Sequence, residues 1–477
     1  MNKQFIGGEW VGSLEKGSFR LINPANEELI TELDFAGRRD AARAIEEAGQ
    51  AFKSWGRTTP YVRAAILKKA ADHIRANLEA FARDMVMESG KPLAEARGEW
   101  TVAANLFEWY AEESKRAYGR VIPTNRTDKR SSAIWQPLGV VGVITAWNFP
   151  AYNPARAWAA ALAAGCAVVA KPSEYTPLSA CRLAEALIQA GLPKGVLNLL
   201  IGDAASIGEE MLDNPKLKKI SFTGSARVGR ILMDGASRSF TRLSLELGGN
   251  APALIFDDVE VDAIARAAAI GRFRNNGQVC IAPQRFYVHK SIYDHFAEAV
   301  TRYVSELKVG NGMEEGVQVG PLITKKQKEQ VVDLLGLAKT ENAELLTGGK
   351  MPAHLSRGYF LEPAVLARVN QSSILARQEI FGPVMPLFSF EDIEDAIAKA
   401  NDTSYGLAAY LFTNRINTAV HVSERLEFGI VGINEWAPHG TESPFGGWKQ
   451  SGQGHESGSE GLYEYMEKKL ISIGSLS

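Results

Sequence analysis

The chain has 477 residues, of which 45% are hydrophobic and 23% charged, with a formal net charge of −2. That length asks for two or three packed units, and the balanced charge gives no reason to expect nucleic acid or a membrane surface as partner. Cys166, Cys181 and Cys280 make no disulfide framework and point to a reducing cytoplasm; the scattered histidines give no zinc-ligand spacing, so no metal is expected. The opening MNKQFIGGEW lacks the pattern of a secretory signal, and no run of about 18 apolar residues predicts a membrane span.

In chain order, the first hundred residues read mainly as helix. Ala41, Ile45, Ala48, Phe52 and Trp55 fall on one helical face, and Ile66, Ala70, Ile74, Leu78, Phe81 and Met85 repeat the spacing. Residues 116–132 are polar and basic, with Gly119 and Pro123, and read as a surface excursion. From about residue 138 short apolar runs alternate with helical stretches. Strands are predicted at 140–145, 167–170, 196–200, 220–222, 253–256 and 286–289, with helices such as 155–164 and 178–190 between them. That alternation indicates βαβ units and a parallel, doubly wound α/β sheet, whose ligands bind beyond the carboxyl ends of the strands.

The chemistry-bearing residues follow those strands or sit in turns. Cys280 closes Asn275-Asn276-Gly277-Gln278-Val279-Cys280, a turn sequence that keeps a thiol more accessible than Cys166. Glu246, between leucines and before Gly248-Gly249, is placed for partial desolvation and a raised pKa, as a general base requires. Asn148, in Trp147-Asn148-Phe149-Pro150 after a predicted strand, offers an amide to a developing oxyanion. Lys171-Pro172-Ser173-Glu174 supplies a cation and a carboxylate for ribose hydroxyls. Gly224-Ser225, opening a helix, is a seat for a pyrophosphate.

Taken in order, Trp147–Pro150, Lys171–Glu174, Phe222–Ser225, Glu246–Gly249, Gly277–Cys280, Glu379-Ile380-Phe381-Gly382-Pro383 and Pro444-Phe445-Gly446-Gly447 resemble the motif series of the aldehyde dehydrogenase superfamily, nearly end to end. The resemblance implies a three-part subunit: an NAD(P)-binding Rossmann-like domain over 1–115 and 134–246, an α/β catalytic domain over 247–440, and a small β oligomerisation element over 116–133 and 462–477. It implies a homodimer or homotetramer, Cys280 as covalent nucleophile, Asn148 as oxyanion donor and Glu246 as the base that hydrolyses the thioester. It places NAD, with NADP possible, against Trp147, Lys171, Ser173, Glu174, Gly224, Ser225, Glu379 and Phe381.

Within the superfamily, Phe273-Arg274-Asn275, Arg156 and the ending Glu460-Gly461-Leu462-Tyr463-Glu464-Tyr465 are similar to succinate-semialdehyde and related semialdehyde dehydrogenases. That likeness implies Arg156 and Arg274 gripping a distal carboxylate. His439 stands where a substrate-binding serine is usual, His455 where an arginine is common, and Ala282 where some members carry a second cysteine. His439 is read as a third donor, positively charged at lower pH, and Trp436 as a residue that narrows the pocket. Succinate semialdehyde is the expected substrate, with another semialdehyde, a sulfonated aldehyde or a broad range of aliphatic aldehydes as alternatives. A CoA-acylating branch is disfavoured by Glu246, and a non-catalytic structural role by the complete set of Cys280, Glu246 and Asn148.

Overall fold

The structure is a computed structural model and describes residues 3–474. The predicted helical start is in fact preceded by four strands: β1 (Gln4–Ile6), β2 (Glu9–Val11), β3 (Gly17–Ile22) and β4 (Leu29–Phe35). They are too short, or too polar on one face, to show a period of two clearly. Helix α1 (Arg38–Trp55) then buries Ala41, Ile45, Ala48 and Trp55 as the spacing predicts. The next periodic stretch is two helices, α2 (Pro60–Ala76) and α3 (Leu78–Ser89), not one. They break at Asn77, whose side-chain Nδ2 donates to the His73 carbonyl at 2.9 Å, competing with the backbone for the same acceptor. Helix α4 (Leu93–Glu113) follows.

The polar excursion is a hairpin of β5 (Arg120–Ile122) and β6 (Arg130–Pro137). The last strand of the chain, β22 (Met466–Ile473), pairs antiparallel along the whole of β6. Val121, Leu470 and Ile473 of this three-stranded sheet are exposed. Residues 475–477 of the expected oligomerisation element lie outside the described residues.

Two sheets carry the rest. The first contains β7 (Val140–Ile144), β8 (Ala167–Lys171), β9 (Leu197–Leu199), β10 (Leu217–Thr223) and β11 (Arg242–Glu246), in the order β2-β1-β9-β8-β7-β10-β11. Strands β7 to β11 are parallel, and the order reverses between β7 and β10, which makes that junction the topological switch point. Helices α5 (Tyr152–Ala164), α6 (Pro177–Gln189), α7 (Ala204–Asp213) and α8 (Ala226–Ala236) connect them. Helix α5 is apolar on nearly every side because it is buried on nearly every side, against α4 and the sheet.

The second sheet holds β12 (Ala251–Ile255), β13 (Pro283–His289), β14 (Glu344–Thr347), β15 (Ala364–Ala367), β16 (Val384–Phe390), β18 (Ala408–Phe412) and β19 (Ile430–Ile433), in the order β14-β15-β16-β13-β12-β18-β19. Helix α9 (Val261–Phe273) covers it between β12 and β13. Between β16 and β22 lie the short strands β17 (Tyr405–Gly406), β20 (Trp448–Lys449) and β21 (Gly452–Gln453). Strand β21 adds antiparallel to β11, so residues near 452 return to the first sheet after the second is complete.

Candidate active site

The site is assembled where the carboxyl ends of the first sheet meet the loops that enter the second. Ile144, Lys171, Phe222 and Leu245 stand side by side across β7, β8, β10 and β11. The residues after them, Trp147-Asn148, Ser173-Glu174, Gly224-Ser225 and Glu246, therefore share one edge of the sheet. Asn148 is buried, and its backbone carbonyl accepts from Lys91 Nζ and Asn275 Nδ2, each at 2.9 Å. Its side-chain Nδ2 donates to the Gln278 carbonyl at 3.1 Å, and its Oδ1 accepts from Asn153 Nδ2 at 3.3 Å. The amide is thus fixed against the loop that carries Cys280.

That loop departs from ordinary backbone. Asn275, Asn276 and Gly277 are left-handed in succession, with φ of 48°, 56° and 71°. Asparagine tolerates this region better than most residues, and its side chain supplies local hydrogen bonds. Glu95 accepts the Asn275 N–H at 2.8 Å, Asn276 Nδ2 donates to the Gly320 carbonyl at 2.9 Å, and Gln278 Oε1 accepts the Ile323 N–H at 3.0 Å. Cys280 is partly exposed, whereas Cys166 and Cys181 are fully buried, in line with the sequence reading. Burial nevertheless pushes the Cys280 thiol up to about 12, with Arg156 pulling it back. Cys280 is thus held as a thiol, and would have to lose its proton to act as a nucleophile.

Glu246 is 4% exposed, and its Oε2 has no hydrogen-bond partner among the described residues. Burial holds its carboxyl well above the usual range; Arg156 opposes this, while Glu456 and Glu464 add to it. The two glycines that follow allow a close approach. A Cβ at Gly249 would lie 2.2 Å from the Cys280 carbonyl oxygen, and one at Gly248 would lie 2.4 Å from Glu379 Oε2. Glu379 accepts the Gly249 N–H at 2.9 Å, and burial raises its carboxyl to about 7.

Cys280 lies where two cavities meet. The larger, about 470 Å³, is lined by Trp147, Asn148, Gly224, Ser225, Glu246, Glu379 and Phe381. The Trp147 and Phe381 rings stand edge to face at 5.4 Å, and Ser225 caps α8 through a bond from the Val228 N–H at 3.4 Å. Lys171, Ser173 and Glu174 lie outside this lining, at the end of β8, where Lys171 Nζ and Glu174 Oε2 pair at 2.8 Å.

The smaller cavity, about 290 Å³, has Phe149, Tyr152, Val279, Ile281 and Phe445 as its apolar walls, and holds Arg156, Arg274 and His439. The two arginines are not equivalent. Arg156 is buried and already ion-paired with buried Glu456. Burial alone would push its guanidinium down, but Glu456 holds it above its ordinary value. Arg274 makes no ion pair among the described residues; its guanidinium lies 5.5 Å from the Phe149 ring.

Two expectations need correction. Burial, then Arg274 and Arg156, push His439 down to about 4, so it is neutral across the physiological range and adds no third positive charge. Trp436 does not narrow this cavity. It packs on Phe412 at 4.1 Å and on Tyr410 at 5.6 Å, and lines a neighbouring cavity instead.

Several lining residues escaped the sequence reading. Tyr152 could have been found, being four residues before Arg156 and so on the same helical face. Phe445 lies within a quoted motif that had been given no role. Glu456 and the buried Lys91–Glu99 pair carry no local signal, since their partners are set by tertiary structure.

A model of the aldehyde dehydrogenase family matches residues 10–471. The chain is 43% identical over 472 residues to a mitochondrial succinate-semialdehyde dehydrogenase of Arabidopsis thaliana, covering 99% of this chain and 89% of that one. It is 42% identical over 469 residues to an NADP+ succinate-semialdehyde dehydrogenase of Escherichia coli K12, covering 98% and 97%. The crystal structure of a succinate-semialdehyde dehydrogenase from Burkholderia pseudomallei superposes with a TM-score of 0.97 at 43% identity, covering 100% and 98%.

Proposed function

The chain belongs to the aldehyde dehydrogenase family, and from that premise we propose that it oxidises short aldehydes bearing a distal anion, succinate semialdehyde foremost, to the carboxylic acid with NAD or NADP. The observation that carries the substrate reading is Arg274, a guanidinium without an ion pair among the described residues, in a small, largely apolar chamber that also contains Cys280. A forked cation in such surroundings favours a carboxylate, and suits a sulfonate or a longer dicarboxylic semialdehyde of fitting length. His439, neutral and with Nδ1 unpartnered among the described residues, adds a hydrogen bond without charge.

The cofactor fits the larger cavity by its donor set. The first turn of α8, capped by Ser225, offers backbone N–H groups to a pyrophosphate, and Gly224 lets it come close. Glu379 and Phe381 would hold the nicotinamide ribose beside Trp147, and Lys171, Ser173 and Glu174 the adenosine ribose. The chemistry the nucleotide supplies when bound is acceptance of a hydride from the aldehyde carbon.

The residues do the rest. As the Cys280 sulfur bonds to the aldehyde carbon, its proton passes to Glu246 and the carbonyl oxygen becomes an oxyanion. An amide nitrogen carries two N–H donors; with one on Gln278, Asn148 keeps the other for that oxygen, together with the Cys280 backbone N–H. Hydride loss leaves a Cys280 thioester. Glu246, having released the first proton to solvent, takes a second from the water that attacks the thioester. That proton returns to sulfur as the acid leaves.

We also propose a cytoplasmic homodimer or homotetramer, joined through the sheet of β5, β6 and β22. Its exposed apolar residues and unpaired β5 edge support this.

The apolar walls favour a second reading, in which neutral aliphatic aldehydes serve equally well. Comparing kcat/KM for succinate semialdehyde and butanal separates them, because the two share a four-carbon chain. The anion is expected to win by at least about tenfold, with Arg274→Ala erasing most of that margin through KM. Equal efficiency with butanal would remove the anionic-substrate reading and leave the enzyme class standing.

A further inference from the structure

Glu456 approaches Arg156 most closely at Nε. Its Oε2 pairs with Nε, while its Oε1 accepts from Ser221 Oγ at 2.8 Å. Nε lies on the inner side of the guanidinium; Nε, Nη1 and Glu456 Oε2 are all buried without a hydrogen-bond partner among the described residues, so the contact is ionic and leaves the outer fork unused. Arg156 is also sandwiched. Its guanidinium carbon lies 4.4 Å from the Phe445 ring and 5.0 Å from the Tyr152 ring. The strip that holds Phe445 is the one that holds Glu456, because their backbones exchange two hydrogen bonds of 2.7 Å. One element therefore sets both the plane of the guanidinium, through the ring, and its rotation within that plane, through the carboxylate.

A buried carboxylate beside a buried guanidinium is costly to assemble and gives little net stability over an apolar pair. What it does give is a fixed orientation. A long side chain that is already immobilised loses little further entropy when a ligand binds it. We infer that Glu456, resting on the anionic-aldehyde reading above, is the positioning residue that sets selectivity for the distal anion: it holds Nε so that the free fork of Arg156 faces the chamber opposite Arg274. Glu456 itself touches no substrate in this arrangement. It lies behind the arginine, anchored on Ser221 of β10.

The experiment compares KM and kcat for succinate semialdehyde and butanal in wild type, E456D and E456Q. Shortening the side chain in E456D keeps the charge but draws the carboxylate out of reach of Nε. The anion-to-butanal ratio of kcat/KM then falls about tenfold, with the loss in KM for the anion. E456Q keeps an acceptor at the same reach, and its ratio stays at or above that of wild type. A wild-type ratio in E456D, or an equal fall for both aldehydes, overturns the inference and assigns Glu456 to the fold alone. If E456D does not fold, S221A releases the other carboxylate oxygen; a smaller fall in the same ratio, about threefold, is expected there, and an unchanged ratio overturns the inference. Absence of any anion preference in wild type overturns the substrate reading instead, so the two failures are told apart.

Discussion

The molecule contains two mainly parallel, doubly wound sheets that use opposite ends. In the first, the carboxyl ends of β7, β10 and β11 open onto the larger cavity, as expected at a switch point, with the end of β8 beside it. In the second, the order reverses between β12 and β18, yet the carboxyl ends there are stitched shut. Asp258 accepts Thr413 Oγ1 at 3.0 Å and the Asn414 N–H at 2.8 Å, Asn434 Oδ1 accepts the Thr413 N–H at 3.0 Å, and Arg415 pairs with Asp257 at 2.7 Å. This sheet serves the site from its amino ends, through Gly248-Gly249 before β12 and Cys280 before β13. The same topology thus provides a ligand crevice only where no side-chain network fills it. These amino ends can hold Cys280, the proposed nucleophile, because the left-handed Asn275–Gly277 turn precedes β13.

The largest effects test that division. Cys280→Ala, at the amino end of β13, is expected to abolish oxidation while cofactor binding persists. Asp258→Ala, at the opposite end of the same sheet, should lower the melting temperature through loss of charged hydrogen bonds worth about 2 kcal/mol, with kcat/KM within about twofold of wild type. Loss of activity in a folded Asp258→Ala protein would break the comparison.

Next comes Glu246, the proposed base, on the first sheet. Glu246→Gln should give a burst of about one NADH per site, followed by turnover slower by about a hundredfold or more. Because burial raises the Glu246 carboxyl, it could serve as the proposed base only above that raised value. In wild type, kcat should therefore rise with pH beyond the ordinary carboxylate range, and Glu246→Gln should lose that limb. Wild-type turnover at neutral pH in this variant would show that another group activates water.

These residues differ in how far the sequence alone revealed them. Asn148, Lys171 and Ser225 were readable because each follows a short apolar strand in a βαβ series, and a parallel sheet aligns such ends regardless of side-chain detail. Cys280 announced itself through turn chemistry, and Glu246 through its glycines. The four opening strands were obscured because they pair as short, half-exposed hairpins or edges. The inequality of Arg156 and Arg274 could not be read at all: Glu456 lies 300 residues from its partner, and only the fold brings them together.

A smaller effect is expected at the end of β8. The Glu174 carboxylate would repel a 2′-phosphate, but Lys171, paired with it at 2.8 Å, offsets part of that charge. NAD should be preferred over NADP by about tenfold, narrowing to about twofold in Glu174→Gln. Equal kcat/KM for both cofactors in wild type would mean that the first sheet reads only the shared part of the nucleotide.

The smallest expected effect is a null one, at the residue the second sheet sends back to the site. The chain leaves β19 at its carboxyl end, tied there by Asn434, and returns over the sheet with Trp436 stacked on Phe412. It then delivers His439 to the chamber, edge-on to Tyr152 and Phe445. An ordinary histidine there would charge near pH 6.5 and tighten anion binding as pH falls. Burial, reinforced by Arg274 and Arg156, pushes His439 down to about 4, so its protonation lies below the physiological range. The KM for succinate semialdehyde, relative to that for butanal, should then be flat from about pH 8 to about pH 5.5, more than a unit above that value. His439→Ser should remove a donor and not a charge, so its effect on this ratio should be no larger at pH 5.5 than at pH 8. A KM that falls through a midpoint near 6.5, and stops doing so in His439→Ser, would show that the returning segment brings a titrating cation. The chamber's selectivity would then rest on His439 as well as on the two arginines.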